Sequence, residues 1–173
     1  MSQVPVRLII TGGTFDKAYD SIRGELTLSR THLPDILTTV GCTVPVRPTV
    51  HSLKDSLEMV SADRQAIAEV CRNSAEDRIV ITHGTDTMTE TADVISRYEI
   101  DKTICLTGAM VPFAVSGSDA LFNLGGAFAA VQTLPRGVYI VMNGVVFSAG
   151  TVRKNRNSGV FEEVHENHEQ SHT

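Results

Sequence analysis

Short apolar runs recur along the chain, and between them apolar residues return every three to four positions. Val6-Arg7-Leu8-Ile9-Ile10 predicts a buried strand ending at Thr11-Gly12-Gly13-Thr14. Leu33 to Val40 predicts a short helix closed by Gly41, and Thr43 to Arg47 a strand limited by Pro48. Ala62 to Arg72 predicts an amphipathic helix, with Ser61 as its N-cap and Ile67, Val70 and Cys71 at helical spacing. Arg78 to Thr82 is the next predicted strand, Thr87 to Tyr98 a helix and Thr103 to Leu106 a strand. Asp119 to Leu134 follows as a helix rich in Ala and Gly, then Val138 to Met142 as a strand, with Gly144 permitting a turn into Val145-Val146-Phe147.

Strands that alternate with helices imply an α/β domain, here three-layered, with a mainly parallel sheet and helices on both faces. Strands covered on both faces are continuously apolar, as these are. No repeat or long linker breaks the pattern, so one domain is expected over residues 1–157. Beyond that the chain turns polar, and residues 158–173 are expected to form a tail. The tail carries His165, His168 and His172, but only the first two are close and no cysteine joins them, so a solvated tail is expected rather than a metal site.

The composition narrows the function classes. The chain has 173 residues, within the roughly 100–200 of one domain, and 42% of them are hydrophobic, enough for a core. A net charge of −5 supplies no basic face for nucleic acid, and aromatics at 5% supply no stacking platform. No apolar run approaches the roughly 18–20 residues that span a bilayer, and Met1 to Pro5 lacks the features of a signal peptide. Cys42, Cys71 and Cys105 are odd in number and widely spaced, which fits neither a disulfide framework nor a zinc site. A cytoplasmic protein that binds no nucleic acid and no membrane is expected.

Ligands of open parallel sheets bind beyond the C-terminal strand ends. Three predicted ends resemble one another: Thr11-Gly12-Gly13-Thr14, Thr82-His83-Gly84-Thr85-Asp86-Thr87 and Thr107-Gly108-Ala109-Met110. Glycine and alanine admit a ligand close to the backbone, and threonine supplies donors and acceptors. Each stretch is equally compatible with an ordinary turn or helix cap. Neither G-x-G-x-x-G, the P-loop nor G-x-S-x-G is present. His83 reads as a packed, hydrogen-bonding residue and Cys105 as a buried inert thiol. A hydroxyl nucleophile remains, which requires a neighbour to take its proton. Lys154 is one candidate, although the spacing in Val152-Arg153-Lys154-Asn155-Arg156 by itself favours a solvated basic loop.

Taken together, the motifs resemble the bacterial-type L-asparaginases. Thr11-Gly12-Gly13-Thr14-Phe15 resembles their first signature, and the run from Ile81 through Thr82-His83-Gly84-Thr85-Asp86-Thr87-Met88 to Ala92 resembles their second almost residue for residue. Leu106 to Pro112, Asp119 to Leu124, and Gly137 to Asn143 with Val152-Arg153-Lys154 resemble the segments that follow, so the likeness runs from about residue 6 to 156. The resemblance implies a cofactor-free amidohydrolase that converts L-asparagine to L-aspartate and ammonia. By motif, Thr14 matches the nucleophile, Thr85, Asp86 and Lys154 a Thr-Asp-Lys relay, and Tyr19 the lid tyrosine. Ser56 matches the serine that binds the substrate carboxylate, Asp86 the partner of the substrate ammonium, and Ala109 the backbone contact to the scissile amide. Gly13 and Gly84 are expected to line the same pocket. On this reading the backbone N–H groups of Thr14 and Thr85 are expected to stabilise the oxyanion.

Three features depart from the pattern. Family members typically carry a second, smaller domain that contributes to substrate binding. Leu57 stands where many relatives have a polar residue, and Asp16-Lys17-Ala18-Tyr19-Asp20 lacks a glycine run. The expectation is a short-chain asparaginase, assembled as a homodimer or homotetramer through a face that includes Gly125-Gly126-Ala127-Phe128-Ala129-Ala130. The alternatives are a hydrolase of another small amide, such as glutamine or a modified asparagine, and a non-catalytic amino-acid-binding domain. The full set Thr14, Thr85, Asp86 and Lys154 argues against a pure binder.

Overall fold

The computed structural model describes residues 3–164. In chain order the elements are β1 (Val6–Gly12), β2 (Ala18–Asp20), β3 (Glu25–Thr27), α1 (Leu33–Thr39), β4 (Val46–Lys54), α2 (Ser61–Asn73) and β5 (Arg78–Thr82). They continue with α3 (Met88–Ser96), β6 (Thr103–Thr107), α4 (Ala120–Thr133), β7 (Gly137–Met142), β8 (Val145–Ser148), β9 (Val152–Asn155) and β10 (Val160–Glu163). Six strands form one sheet in the order β4-β1-β5-β6-β7-β8. All neighbours are parallel except β7 and β8.

Side chains alternate across a strand, so each strand feeds two cores. Leu8 and Ile10 of β1 pack with Leu33 and Ile36 of α1 and Leu124, Ala127, Phe128 and Val131 of α4. Ile9, from the other face of β1, packs with Ile67, Ala68 and Cys71 of α2 and Met88, Ala92 and Ile95 of α3. The three-layer α/β expectation holds. Burial pushes the Cys71 and Cys105 thiols up to about 12, which agrees with inert core cysteines.

The chain order across the parallel strands reverses direction between β1 and β5. In an open sheet that reversal leaves a crevice at the strand ends, where connections diverge to opposite faces. The register aligns those ends: Ile10 lies opposite Thr82, and Thr82 opposite Thr107.

Local predictions are corrected in four places. The strand expected over 43–47 is β4, which begins at Val46 and runs through Pro48 to Lys54. Because β4 is an edge strand, one side of it has no ladder to fill, and a residue without an N–H is tolerated there. Ser61 is the first helical residue of α2 rather than its cap. Val60 takes the cap position, and its N–H donates to the Asp63 carboxylate at 2.8 Å. Two short hairpins, β2–β3 and β9–β10, form from polar segments that carry no apolar run. The boundary expected at residue 157 therefore falls inside the β9–β10 hairpin, whose second strand docks Phe161 into the α2–α3 core. His165, His168 and His172 lie outside the described residues. The turn expected at Gly144 is present, with Asn143 at φ 51° and Gly144 at φ 82°, the left-handed pair that a two-residue hairpin turn requires.

Candidate active site

Glycine backbones bring the three strand-end loops together. Gly13 has φ +82°, and a Cβ there would lie 2.4 Å from the Gly84 Cα. A Cβ on Gly84 would lie 2.5 Å from Ser56 Oγ, and one on Gly108 would lie 2.4 Å from the His83 carbonyl oxygen. Real side chains cannot approach so closely, so glycine at these positions is a condition of the geometry. Thr14 and Thr85 each follow one member of the Gly13–Gly84 contact and therefore leave the sheet from the same point.

The threonines at this edge divide by what their hydroxyls already do. Thr11 donates to the Thr82 carbonyl, Thr87 to the Ser56 carbonyl and Thr107 to the Val141 carbonyl, each at 2.8 Å. These hold the loops in place. The Thr85 hydroxyl accepts a hydrogen bond from Lys154 Nζ at 2.8 Å, and the same Nζ donates to Asp86 Oδ1 at 2.8 Å. The hydroxyls of Thr14 and Ser56 bond to no group among the described residues. They remain available to a ligand, as do the backbone N–H groups of Thr14 and Thr85, which find no protein acceptor among those residues.

The solvated loop that spacing favoured for Lys154 is not what the structure contains. Lys154 lies on β9 directly across from Phe161 of β10. Val152, two residues earlier and so on the same face, is buried in the α2–α3 core with Phe161. This docking carries Lys154 inward until its side chain is 10% exposed, against 37% for Asp86.

The reading of His83 as a packed residue agrees with the structure. Its Nδ1 lies 2.8 Å from the Gly84 carbonyl and its Nε2 2.9 Å from Thr91 Oγ1. Since a carbonyl only accepts, Nδ1 carries the proton and Nε2 accepts from the threonine. Burial lowers the His83 pKa to about 4 and keeps the ring neutral.

Asp16, Asp119 and Asn123 position the site, and none was among the expected site residues. Asp16 is buried in the turn that starts at Thr14, and burial raises its pKa. Its Oδ1 accepts from the Thr31 hydroxyl and the His32 amide, which fastens the turn to the start of α1. Asp119 accepts from the amides of Met110 and Val111, while Asn123 donates to the Gly108 carbonyl and accepts from the Asn143 amide. These bonds fix the loop that holds buried Ala109. The available signal was an aspartate at the first position of a predicted helix, with an asparagine one turn later on the same face.

Tyr19 is placed differently from the rest. It sits on the β2–β3 hairpin, is 67% exposed, and makes no hydrogen bond to Thr14. Leu57 also points outward, next to buried Ser56.

The sequence pattern described as "Asparaginase, N-terminal" matches residues 5–168. The chain belongs to this asparaginase family. A glutaminase-asparaginase of Acinetobacter glutaminasificans is 30% identical over 171 residues, covering 88% of this chain and 50% of that protein. Among solved structures, the L-asparaginase I of Vibrio cholerae superposes with a TM-score of 0.83 at 24% identity, covering 94% of this chain and 52% of the other, and shows the shared fold. A probable cytoplasmic L-asparaginase of Campylobacter jejuni gives 0.80 at 28% identity, covering 93% and 53%. The chain thus spans about half the length of the relatives it matches. The three glycine-bearing loops and the lysine hairpin all lie within the matched residues.

Proposed function

We propose that this chain hydrolyses L-asparagine to L-aspartate and ammonia through an acyl-enzyme on Thr14. The observation that carries the proposal is Lys154 Nζ, held at 2.8 Å from both Thr85 Oγ1 and Asp86 Oδ1 in a mostly buried position. A binding module has no use for such a relay. The Thr14 hydroxyl attacks the side-chain amide carbon, and the oxyanion that develops is stabilised by the free N–H groups of Thr14 and Thr85. The C–N bond then breaks, and ammonia leaves with the proton from Thr14. Water next attacks the aspartyl ester, the bond from the acyl carbon to the Thr14 oxygen breaks, L-aspartate leaves, and the Thr14 oxygen regains a proton as the hydroxyl. The proton that the water gives up passes through the Thr85 hydroxyl, which Lys154 Nζ and, through it, the Asp86 carboxylate hold in line. The Ser56 hydroxyl binds the substrate carboxylate, and Asp86 Oδ2 faces the substrate ammonium. Gly13, Gly84 and Ala109 line the pocket with backbone.

L-glutamine is a second candidate substrate, because the Acinetobacter relative carries both activities in its name. We propose a homodimer or homotetramer as the assembled form, because α4 bears no charged residue and exposes Leu121 and Phe122. A cytoplasmic location is part of the same proposal and is supported by the description of the Campylobacter jejuni protein. Ammonia release by the purified chain from asparagine, glutamine, N-substituted asparagine and a simple aliphatic amide tests the reaction. Turnover of asparagine is expected, and binding of asparagine without ammonia release would overturn the proposal. Sedimentation at micromolar concentration tests the assembly, with a monomer as the adverse outcome.

A further inference from the structure

Lys17 and Asp55 form an ion pair of 2.6 Å that the reaction outlined above does not use. Lys17 follows the candidate nucleophile by three residues, and Asp55 immediately precedes Ser56. Asp55 is anchored on its own side, since its Oδ1 accepts from the Leu57 amide and closes the turn that contains Ser56. Its Oδ2 accepts from Lys17. Among the described residues this is the one side-chain hydrogen bond between the Thr14–Lys17 segment and the Asp55–Glu58 segment. The Lys17 ammonium holds the Asp55 carboxyl below the usual carboxylate range, as a formed pair requires.

The contacts on either side of the pair act in opposite directions. Gly13 against Gly84, and Gly84 against Ser56, are at steric contact, so the two segments cannot move closer. Behind the pair lies a polar cavity of about 370 Å³, bordered also by Arg23, Thr27 and Glu58. The backbone bond from the Gly13 amide to the Lys54 carbonyl, 3.1 Å, joins the two segments at their base, and the ion pair ties them a second time further along, beside the cavity. On the proposed reading, the substrate's amide carbon sits at Thr14 and its carboxylate at Ser56. The Lys17–Asp55 pair then runs alongside the substrate as a strut.

From this we infer that the Lys17–Asp55 pair sets the longest amide side chain the site accepts, favouring asparagine over glutamine, which is one methylene longer. The inference rests on the proposed asparaginase activity. One methylene is worth roughly 10- to 200-fold in discrimination, so removal of the strut is expected to give a change at the lower end of that range.

The test measures kcat/KM for L-asparagine and L-glutamine in the wild-type chain, Lys17→Ala, Asp55→Asn and the double variant. Amide hydrogen exchange of residues 14–17 and 55–59 is followed in the same proteins. Asp55→Asn keeps an oxygen for the Leu57 amide and so guards against a trivial loss of the turn. Each single variant is expected to lower the asparagine-to-glutamine ratio about tenfold, and the double variant no further, as two halves of one contact require. Exchange should rise in both segments. An unchanged ratio in a variant with faster exchange would show that the strut does not set length. Unchanged exchange would show that no strut exists, and this readout stands even if the wild-type chain released no ammonia and the proposed activity fell.

Discussion

Replacing Lys154 with methionine separates the relay from a merely structural lysine. The substitution keeps the length of the mostly buried stem and removes the amine. Two hydrogen bonds of 2.8 Å disappear with it, one of them to a carboxylate. Asp86 is 37% exposed, so water replaces much of what its carboxylate loses. A partly exposed ion pair contributes about 1 kcal/mol or less. For a chain of this size, 1 kcal/mol moves the melting temperature by roughly 2–4 °C, and a small shift of that order is expected. Catalysis has more at stake. Loss of a positioned proton-transfer relay lowers turnover by about 10²–10⁴-fold, equivalent to roughly 3–5 kcal/mol in the barrier. The assay pairs thermal unfolding with steady-state ammonia release from L-asparagine. Turnover should collapse while unfolding barely changes. Turnover within about tenfold of wild type would refute the relay, and a large drop in melting temperature would make Lys154 a structural residue.

Three further outcomes follow from the same geometry. Gly13→Ala combines a 2.4 Å clash with Gly84 and a left-handed φ of +82°, so about 2–5 kcal/mol of destabilisation and loss of activity are expected by denaturant unfolding and ammonia release. Gly24→Ala, at φ +71° but with open space around it, provides the control and should cost only about 1–2 kcal/mol. His83 has a folded pKa of about 4 against 6.5 for the free side chain, so its contribution is complete above pH 6.5 and is lost as the pH falls towards 4, roughly 3 kcal/mol in all; urea unfolding across that window should be steeper in pH for wild type than for His83→Gln, and equal slopes would contradict the assignment. Asp119→Ala leaves the amides of Met110 and Val111 without their acceptor, so hydrogen exchange there should accelerate and kcat should fall, whereas a quiet loop would remove Asp119 from the positioning set.

How much of this was legible in the sequence depended on whether an element carries its own apolar signal. The strand predicted over Arg78 to Thr82 has the observed bounds because an apolar β-branched run sits between polar neighbours. β4 was displaced because Pro48 reads as a stop, and only the sheet order shows that it lies on an edge. The hairpins β2–β3 and β9–β10 are only three or four residues per strand, mostly half-buried or exposed, so they leave little periodicity. The second of these had the largest effect on the site. Lys154 meets Thr85 across 69 residues of chain, and the docking of Val152 and Phe161 that brings it there is a tertiary fact. The three strand-end motifs were visible as repeats of Gly and Thr, but composition could not separate hydroxyls that hold loops from those left free. Their hydrogen-bond partners do that. The spacing of Asp119 and Asn123 on one helix face gave a partial signal, but which backbone groups fold back towards them, and towards Asp16, is a tertiary fact.

The most direct test of the account is the covalent state of Thr14 during turnover. The purified chain is mixed with L-asparagine, quenched in acid during steady state, digested and analysed by mass spectrometry. The account predicts an aspartyl ester on the peptide that contains Thr14. It also predicts that Thr14→Ala folds normally, forms no ester and loses at least about 10³-fold in kcat. An ester found on Thr85, or a Thr14→Ala protein within tenfold of wild-type turnover, would contradict it.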